Sequence, residues 1–286
     1  MRILLAIDGS PQSTHTVQAL AHFTPCEEVR LVHALALPDL DLPMITPEMR
    51  ENLLKEIEGP LRKEGEELLD RTAAALPVDS GPISRVHEIG FPSHVILETA
   101  QSAHSDLIIL GARGCGPIKE LVLGSVSHRV LLHAPCSTLV VKSPFPTLRH
   151  ILVTVEGQED AAIILRALLS MPFREPVKMT VLTVWPHPRV PWLITLGQSQ
   201  LLEEKALKNA QEMVDQIAGQ FGAKYQSTGT VGMGDPAYVI LEQERILNPD
   251  LIVVGSHGRK GISRFLLGSV SHTLVHQARC PVLVVR

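Results

Sequence analysis

The C-terminal stretch of this chain occurs twice. Residues 255–286 read GSHGRKGISRFLLGSVSHTLVHQARCPVLVVR, and residues 111–142 read GARGCGPIKELVLGSVSHRVLLHAPCSTLVVK. A constant offset of 144 residues aligns Gly111 with Gly255, Gly114 with Gly258, Gly124 with Gly268, Ser125 with Ser269, His128 with His272 and Cys136 with Cys280. A fixed internal period restricts the fold more than any local propensity, because each copy must build the same unit. The match reaches upstream: Gly90-Phe-Pro92-Ser-His-Val-Ile-Leu-Glu98 returns as Gly234-Asp-Pro236-Ala-Tyr-Val-Ile-Leu-Glu242. Two tandem domains are expected, 1–143 and 149–286, joined by a short proline-containing linker, and 286 residues suffice for both to bury a core.

Each copy begins after an apolar run preceded by aspartate, Asp106-LIIL and Asp250-LIVV. Short, aliphatic and unbroken, these runs read as strands buried on both faces of a parallel sheet. Each strand empties into glycines, which let the chain turn sharply and present bare backbone N–H groups to a ligand. Gly268-Ser269 then opens a helix carried by Val270, Leu274, Val275 and Ala278, with Ser269 as its expected N-cap. A strand, a glycine loop and a helix N-terminus in succession form an anion cradle, since free N–H groups and the positive end of the helix dipole converge there.

The remainder alternates strands and helices, the pattern of a doubly wound parallel sheet. Strands are expected at Arg2–Ile7, Val29–Ala36, Ile83–Glu88, Leu107–Leu110 and Ser137–Val141, then again from Ile151–Val155 and Val177–Val184 onward. A polar helix from Glu48 to Ala75 is expected to break at Gly59-Pro60, because proline removes a helical hydrogen bond, and to present a solvated outer face.

The spacing G-x2-G-x9-G-[ST], followed by a helix and Cys-Pro-Val-Leu-Val-Val, resembles the signature of the universal stress protein (UspA) family, in particular its ATP-binding branch. Both copies fit it, and the resemblance covers essentially the whole chain. It implies an α/β fold of two tandem doubly wound five-stranded parallel sheets, Rossmann-like and adenine nucleotide alpha hydrolase-like, with strand order 3-2-1-4-5. In such a sheet a ligand sits beyond the strand carboxyl ends where the order reverses, between strands one and four. By position, the resemblance implies ATP contacts from Asp8, Ala34, Gly111, Gly114, Gly124, Ser125 and Val126 in the first half. In the second half it implies Val184, Gly255, Gly258, Gly268, Ser269 and Val270. The halves differ: Glu156 stands where the first has Asp8, Cys115-Gly116-Pro117 interrupts the first loop, and His257, Arg259, Lys260 and Arg264 add charge to the second. The resemblance also implies pairing of the terminal strands, Thr138–Val141 against Val282–Val285, as an intramolecular pseudo-dimer; association into a homodimer is left open.

Composition excludes several classes. With 26 basic and 30 acidic residues, no nucleic-acid partner is indicated. No apolar run is long enough to cross a bilayer and no signal peptide precedes MRILLAID, so no membrane partner and a cytoplasmic location are expected. The four cysteines lie far apart and read as buried reduced thiols. His128 and His272 read as helix-surface or satisfied core histidines, and Trp185 and Trp192 as a packing surface or lid. Gly232-Met-Gly234-Asp-Pro-Ala237 matches the dinucleotide fingerprint by letter but follows a third strand, where that fingerprint has no function. No Walker lysine, G-x-S-x-G elbow or H-E-x-x-H motif is present. The expectation is therefore a stress-response or signalling module that retains ATP, with Mg²⁺ as counterion to the phosphates, rather than a fast enzyme. A slow ATP hydrolase and a ligand-free dimerisation scaffold are the alternatives.

Overall fold

The computed structural model describes residues 1–23, 25–114, 123–174, 176–186, 196–222, 225–256 and 267–286. The first half contributes strands β1 (Arg2–Ala6), β2 (Glu28–Leu35), β3 (Ile83–Ile89), β4 (Leu107–Gly111) and β5 (Ser137–Val141). Between them run helices α1 (Pro11–Leu20), α2 (Pro47–Ala75), α3 (Pro92–Ser102) and α4 (Ser125–His133). The second half repeats the order as β6 (His150–Thr154), α5 (Gln158–Ser170), β7 (Lys178–Trp185), α6 (Leu196–Gln220), β8 (Gln226–Met233), α7 (Pro236–Leu247), β9 (Leu251–Gly255), α8 (Ser269–Gln277) and β10 (Val282–Val285). The chain is thus α/β throughout.

Each half is internally parallel with its strands ordered 3-2-1-4-5, and the halves meet edge to edge in one ten-stranded sheet, β3-β2-β1-β4-β5-β10-β9-β6-β7-β8. The seam is antiparallel: β10 pairs with β5 through Val282–Val140, Leu283–Leu139 and Val284–Thr138. Two edges that would otherwise present unpaired backbone groups close on each other.

The aliphatic runs explain the layers. Side chains alternate across a strand. Ile3 and Leu5 of β1 therefore enter the core on one sheet face, while Leu4 and Ala6 enter that on the other. All three apolar residues Leu107, Ile108 and Ile109 are fully buried, as expected for a strand covered on both sides. The aspartate before each such strand also has a structural task. Asp106 Oδ2 accepts the Arg2 N–H at 2.7 Å, and Asp250 Oδ2 accepts the N–H groups of Arg149 and His150 at 2.7 and 3.0 Å. Each ties its half's first strand into register. The linker is packed as well, with Phe145 and Leu148 in the core and the Phe145 carbonyl 2.7 Å from His22 Nε2.

Helix α2 does not break at Gly59-Pro60 but runs unbroken through Pro60 for 29 residues. Pro60 lies exposed, so the carbonyl deprived of its N–H partner can be hydrated, and one lost bond does not stop a helix held by its packed face. That face buries Gly65, Leu69 and Thr72. α2 therefore covers the sheet as well as facing solvent. Among the described residues, no helix is long and apolar enough to cross a membrane.

Candidate functional site

The carboxyl ends of β1, β2 and β4 open onto one cavity of about 810 Å³. Its lining contains Asp8, Ala34, Gly111, Gly114, Gly124, Ser125 and Val126, residues that lie up to 118 positions apart and are gathered by the order reversal at β1 and β4.

The β1–α1 turn fixes Asp8. Its Oδ1 accepts hydrogen bonds from the Ser10 N–H at 3.0 Å, Ser10 Oγ at 2.6 Å and Ser13 Oγ at 2.7 Å, while Ser13 Oγ accepts the Asp8 N–H at 3.0 Å. Gly9 completes the turn at φ +77°, a conformation that favours glycine. Asp8 Oδ2 faces Gly114, and a Cβ on Gly114 would collide with it. At Gly111 a Cβ would stand 2.9 Å from Gln12 Cβ and 3.0 Å from the Arg113 carbonyl oxygen. Neither position has room for a side chain, so bare backbone borders the cavity there.

The crossing from β4 to α4 is tied twice: the Gly124 N–H donates to the Ala112 carbonyl at 2.8 Å, and Ser127 Oγ donates to the Gly111 carbonyl at 2.7 Å. Gly124 is the N-cap and Ser125 the first helical residue, and in the second repeat Gly268 likewise caps α8, so the expectation that Ser269 is the N-cap is corrected. The physical consequence favours a ligand. A glycine cap has no side chain to spend on the first-turn N–H groups, and the helix start opens on the cavity.

Sequence reasoning missed the outer wall. α2 supplies Leu61, Glu64, Gly65, Leu68 and Arg71, and the loop after β4 adds Arg113. Gly65 lets α2 lie against the His33 and His87 rings, which stand 5.0 Å apart by centroids; a Cβ there would collide with His87 and come within 2.7 Å of His33 Nδ1. The periodic signal was available, because Gly65, Leu69 and Thr72 recur at helical spacing along an otherwise charged helix.

Burial lowers the pKa of both histidines, His33 against the raising effect of Asp8 and Glu64, and His87 with help from Arg62 against Glu66. A folded pKa below the unfolded value of 6.5 means that the unfolded chain binds the proton first. Their contribution to stability is complete above about pH 6.5 and is lost as pH falls through the folded values. Urea midpoints measured from pH 7.5 to 5 should therefore fall, and the fall should be shallower in His87→Leu, which removes two buried ring nitrogens without hydrogen-bond partners among the described residues. An unchanged slope in His87→Leu would refute that assignment.

The second repeat builds the same crossing. The Gly268 N–H donates to the Ser256 carbonyl at 2.9 Å and Ser271 Oγ donates to the Gly255 carbonyl at 2.6 Å. Gly268 caps α8, Ser269 starts it, Val270 packs partly buried beside it, and Val184, the last but one residue of β7, pairs with Gly232 of β8. Gly258 lies outside the described residues, as do Cys115-Gly116-Pro117, Trp192 and the basic residues His257, Arg259, Lys260 and Arg264. A cavity of about 480 Å³ touches Gly255 together with Asp160, Ile163, His133 and Arg286. The turn after β6 is built differently from that after β1. Asp160 of α5, its pKa raised by burial, accepts the Glu156 and Gly157 N–H groups at 2.7 and 2.8 Å, leaving Glu156 exposed.

Among the described residues Cys26, Cys136 and Cys280 are free thiols. Burial pushes Cys26 up to about 11 and Cys136 to about 12, so they rest as unreactive thiols at neutral pH.

The same crossing is thus built in both halves of the chain. The family model of the universal stress proteins matches residues 1–142 and again 147–286. The chain belongs to the universal stress protein family. It is 25% identical over 304 aligned positions to a universal stress protein of Mycobacterium tuberculosis, covering 99% of this chain and 96% of that one. A shorter universal stress protein of Bacillus subtilis is 29% identical over 145 positions, covering 98% of its own length but 49% of this chain. The crystal structure of a universal stress protein from Archaeoglobus fulgidus covers 100% of this chain and 96% of its own at a TM-score of 0.67 and 18% identity, a likeness of fold.

Proposed function

We propose that the cleft between β1 and β4 binds an adenine nucleotide, ATP with Mg²⁺ on its phosphates, and that its occupancy makes this universal stress protein a cytoplasmic stress-response or signalling module rather than a fast enzyme. The carrying observation is that the glycine-walled crossing at Gly111, Gly114 and Gly124 opens onto the same cavity as Asp8 and Ala34. A volume near 810 Å³ falls in the range of about 300–1,000 Å³ typical of small-molecule sites. The residues suit such a ligand. Bare backbone, the α4 N-terminus and Arg113 would receive phosphates, Asp8 would accept from ribose hydroxyls, and Ala34, Val32 and Ile96 give an apolar surface for a base.

The repeats 1–143 and 149–286 are taken as two domains, and the second as a further nucleotide cradle through Val184, Gly255, Gly258, Gly268, Ser269 and Val270. The paired hydrogen bonds at Ser256 and Gly255 support that extension; the Asp160-based turn gives the second site a different ribose side. The antiparallel seam of β5 and β10 supports reading the two repeats as an intramolecular pseudo-dimer.

Nucleotide released by denaturing freshly purified protein, separated by anion exchange and weighed by mass, tests the proposal. About one adenine nucleotide per chain is expected from the first cleft, and about two if both repeats load; ADP in place of ATP would favour the slow hydrolase. If nothing co-purifies and titrated ATP leaves the thermal midpoint unmoved, the glycine crossings are structural and the proposal fails.

A further inference from the structure

We propose that His128, His272 and His276 form a binding site for one divalent transition-metal ion of the zinc class, placed across the seam between the two repeats. The repeat puts His128 and His272 at equivalent positions of α4 and α8. The antiparallel pairing of β5 with β10 brings those two helices together, so the equivalent rings meet with centroids 5.7 Å apart. The third ring has no counterpart in the first repeat, where the equivalent residue is Leu132. His276 follows His272 by four residues, the spacing that places two side chains on one helix face, and their centroids lie 4.4 Å apart. His276 and His128 stand 6.2 Å apart.

One ring nitrogen from each of the three lies within 4.8 Å of the other two. A tetrahedral zinc site with bonds of about 2.0–2.1 Å needs nitrogens about 3.3 Å apart, a change that rotation of the rings about their side-chain bonds supplies. His276 Nε2 is buried and has no hydrogen-bond partner among the described residues, a lone pair or N–H whose desolvation nothing yet offsets. The nearby cation does not close the site, because Lys142 Nζ donates to the Leu274 and Ala278 carbonyls at 3.2 and 2.6 Å, at the end of α8. Arg286 mirrors it on α4, donating to the Leu131 and Leu132 carbonyls at 2.7 and 3.0 Å. Each half therefore already grips the other's helix end, and these grips hold the histidine-bearing helices in place. Three imidazoles suit Zn²⁺, Co²⁺, Ni²⁺ or Cu²⁺ over the hard cations, and three protein ligands leave a fourth position for water. A bound ion would staple α4 to α8.

Calorimetric titration of untagged protein with Zn²⁺ against a competing chelator, with native mass spectrometry for stoichiometry, tests the site without reference to nucleotide. One Zn²⁺ per chain is expected, with a higher thermal midpoint on loading, and Co²⁺ in its place should give the intense visible absorption of a four-coordinate ion. His276→Leu, which installs the residue of the first repeat, and His128→Gln should each weaken binding by at least about 10- to 100-fold, the range known for lesser changes around bound metals. The exposed neighbour His133 serves as control, and His133→Gln should bind as the unaltered chain does. Absent stoichiometric binding, or binding unaltered in both His276→Leu and His128→Gln, would overturn the proposal and leave the rings as a packing contact.

Discussion

Replacing Gly114 with alanine is expected to weaken ATP binding by about 10- to 100-fold while leaving the urea midpoint nearly unchanged. The added Cβ has nowhere to go, since it collides with Asp8 Oδ2. Asp8 cannot simply turn aside, because its other oxygen is held by Ser10 and Ser13. Either those hydrogen bonds break or the loop after β4 swings away from the cleft. In both cases the nucleotide loses a contact to a charged group, worth about 1.5–3 kcal/mol, which converts to roughly one to two decades in affinity. Stability changes little because Asp8 is exposed, and water can take up whatever bonds the carboxylate surrenders. A double-mutant cycle isolates the cause: if the alanine acts through Asp8, then Asp8→Ala with Gly114→Ala binds no worse than Asp8→Ala alone. Undiminished affinity in Gly114→Ala would show that the nucleotide does not use this cleft.

The repeat made much of this fold legible before any coordinates. β5 runs over Ser137–Val141 as the sequence suggested, and the order 3-2-1-4-5 that the family resemblance implied appears in both halves. The first cleft was legible for the same reason: the topology that joins β1 to β4 decides which distant residues meet. What was not legible depends on contacts that no local pattern encodes. The sequence of α2, dominated by Pro60 and a run of charges, points to a solvated, broken helix; packing of Gly65 over His33 and His87 outweighs both. Asp160, four residues after Glu156 and inside α5, accepts the N–H groups of the turn after β6, a contact that alignment of the turn alone does not reveal. His276 has no counterpart in the first repeat, and its approach to His128 becomes visible only when the seam carries α4 to α8. The errors thus cluster where tertiary contact, rather than periodicity, assigns the role.

Truncating Leu283 to alanine is expected to cost about 2–5 kcal/mol of stability, the range for emptying a fully buried leucine site, and to do so without altering ATP affinity at the first cleft. Leu283 has no exposed surface, pairs with Leu139 across the seam and with Val253 of β9 on its other side, and shares one core with both. Its position makes the loss unusually informative. Among the described residues, β5 and β10 are the strands through which the two halves of the sheet are hydrogen-bonded to each other, so the cavity falls on the joint itself. If the halves unfold as one unit, Leu283→Ala should lower a single urea transition with its slope intact; if the joint yields first, the transition should broaden or split. Ile89→Ala provides the reference, since that side chain is 40% exposed at the end of the outer strand β3 and should shift the midpoint little. The first cleft lies at β1, β2 and β4 and draws no lining residue from β10. Equal destabilisation by the two substitutions would mean that the seam does not carry the stability its burial implies, and that each half stands without the other.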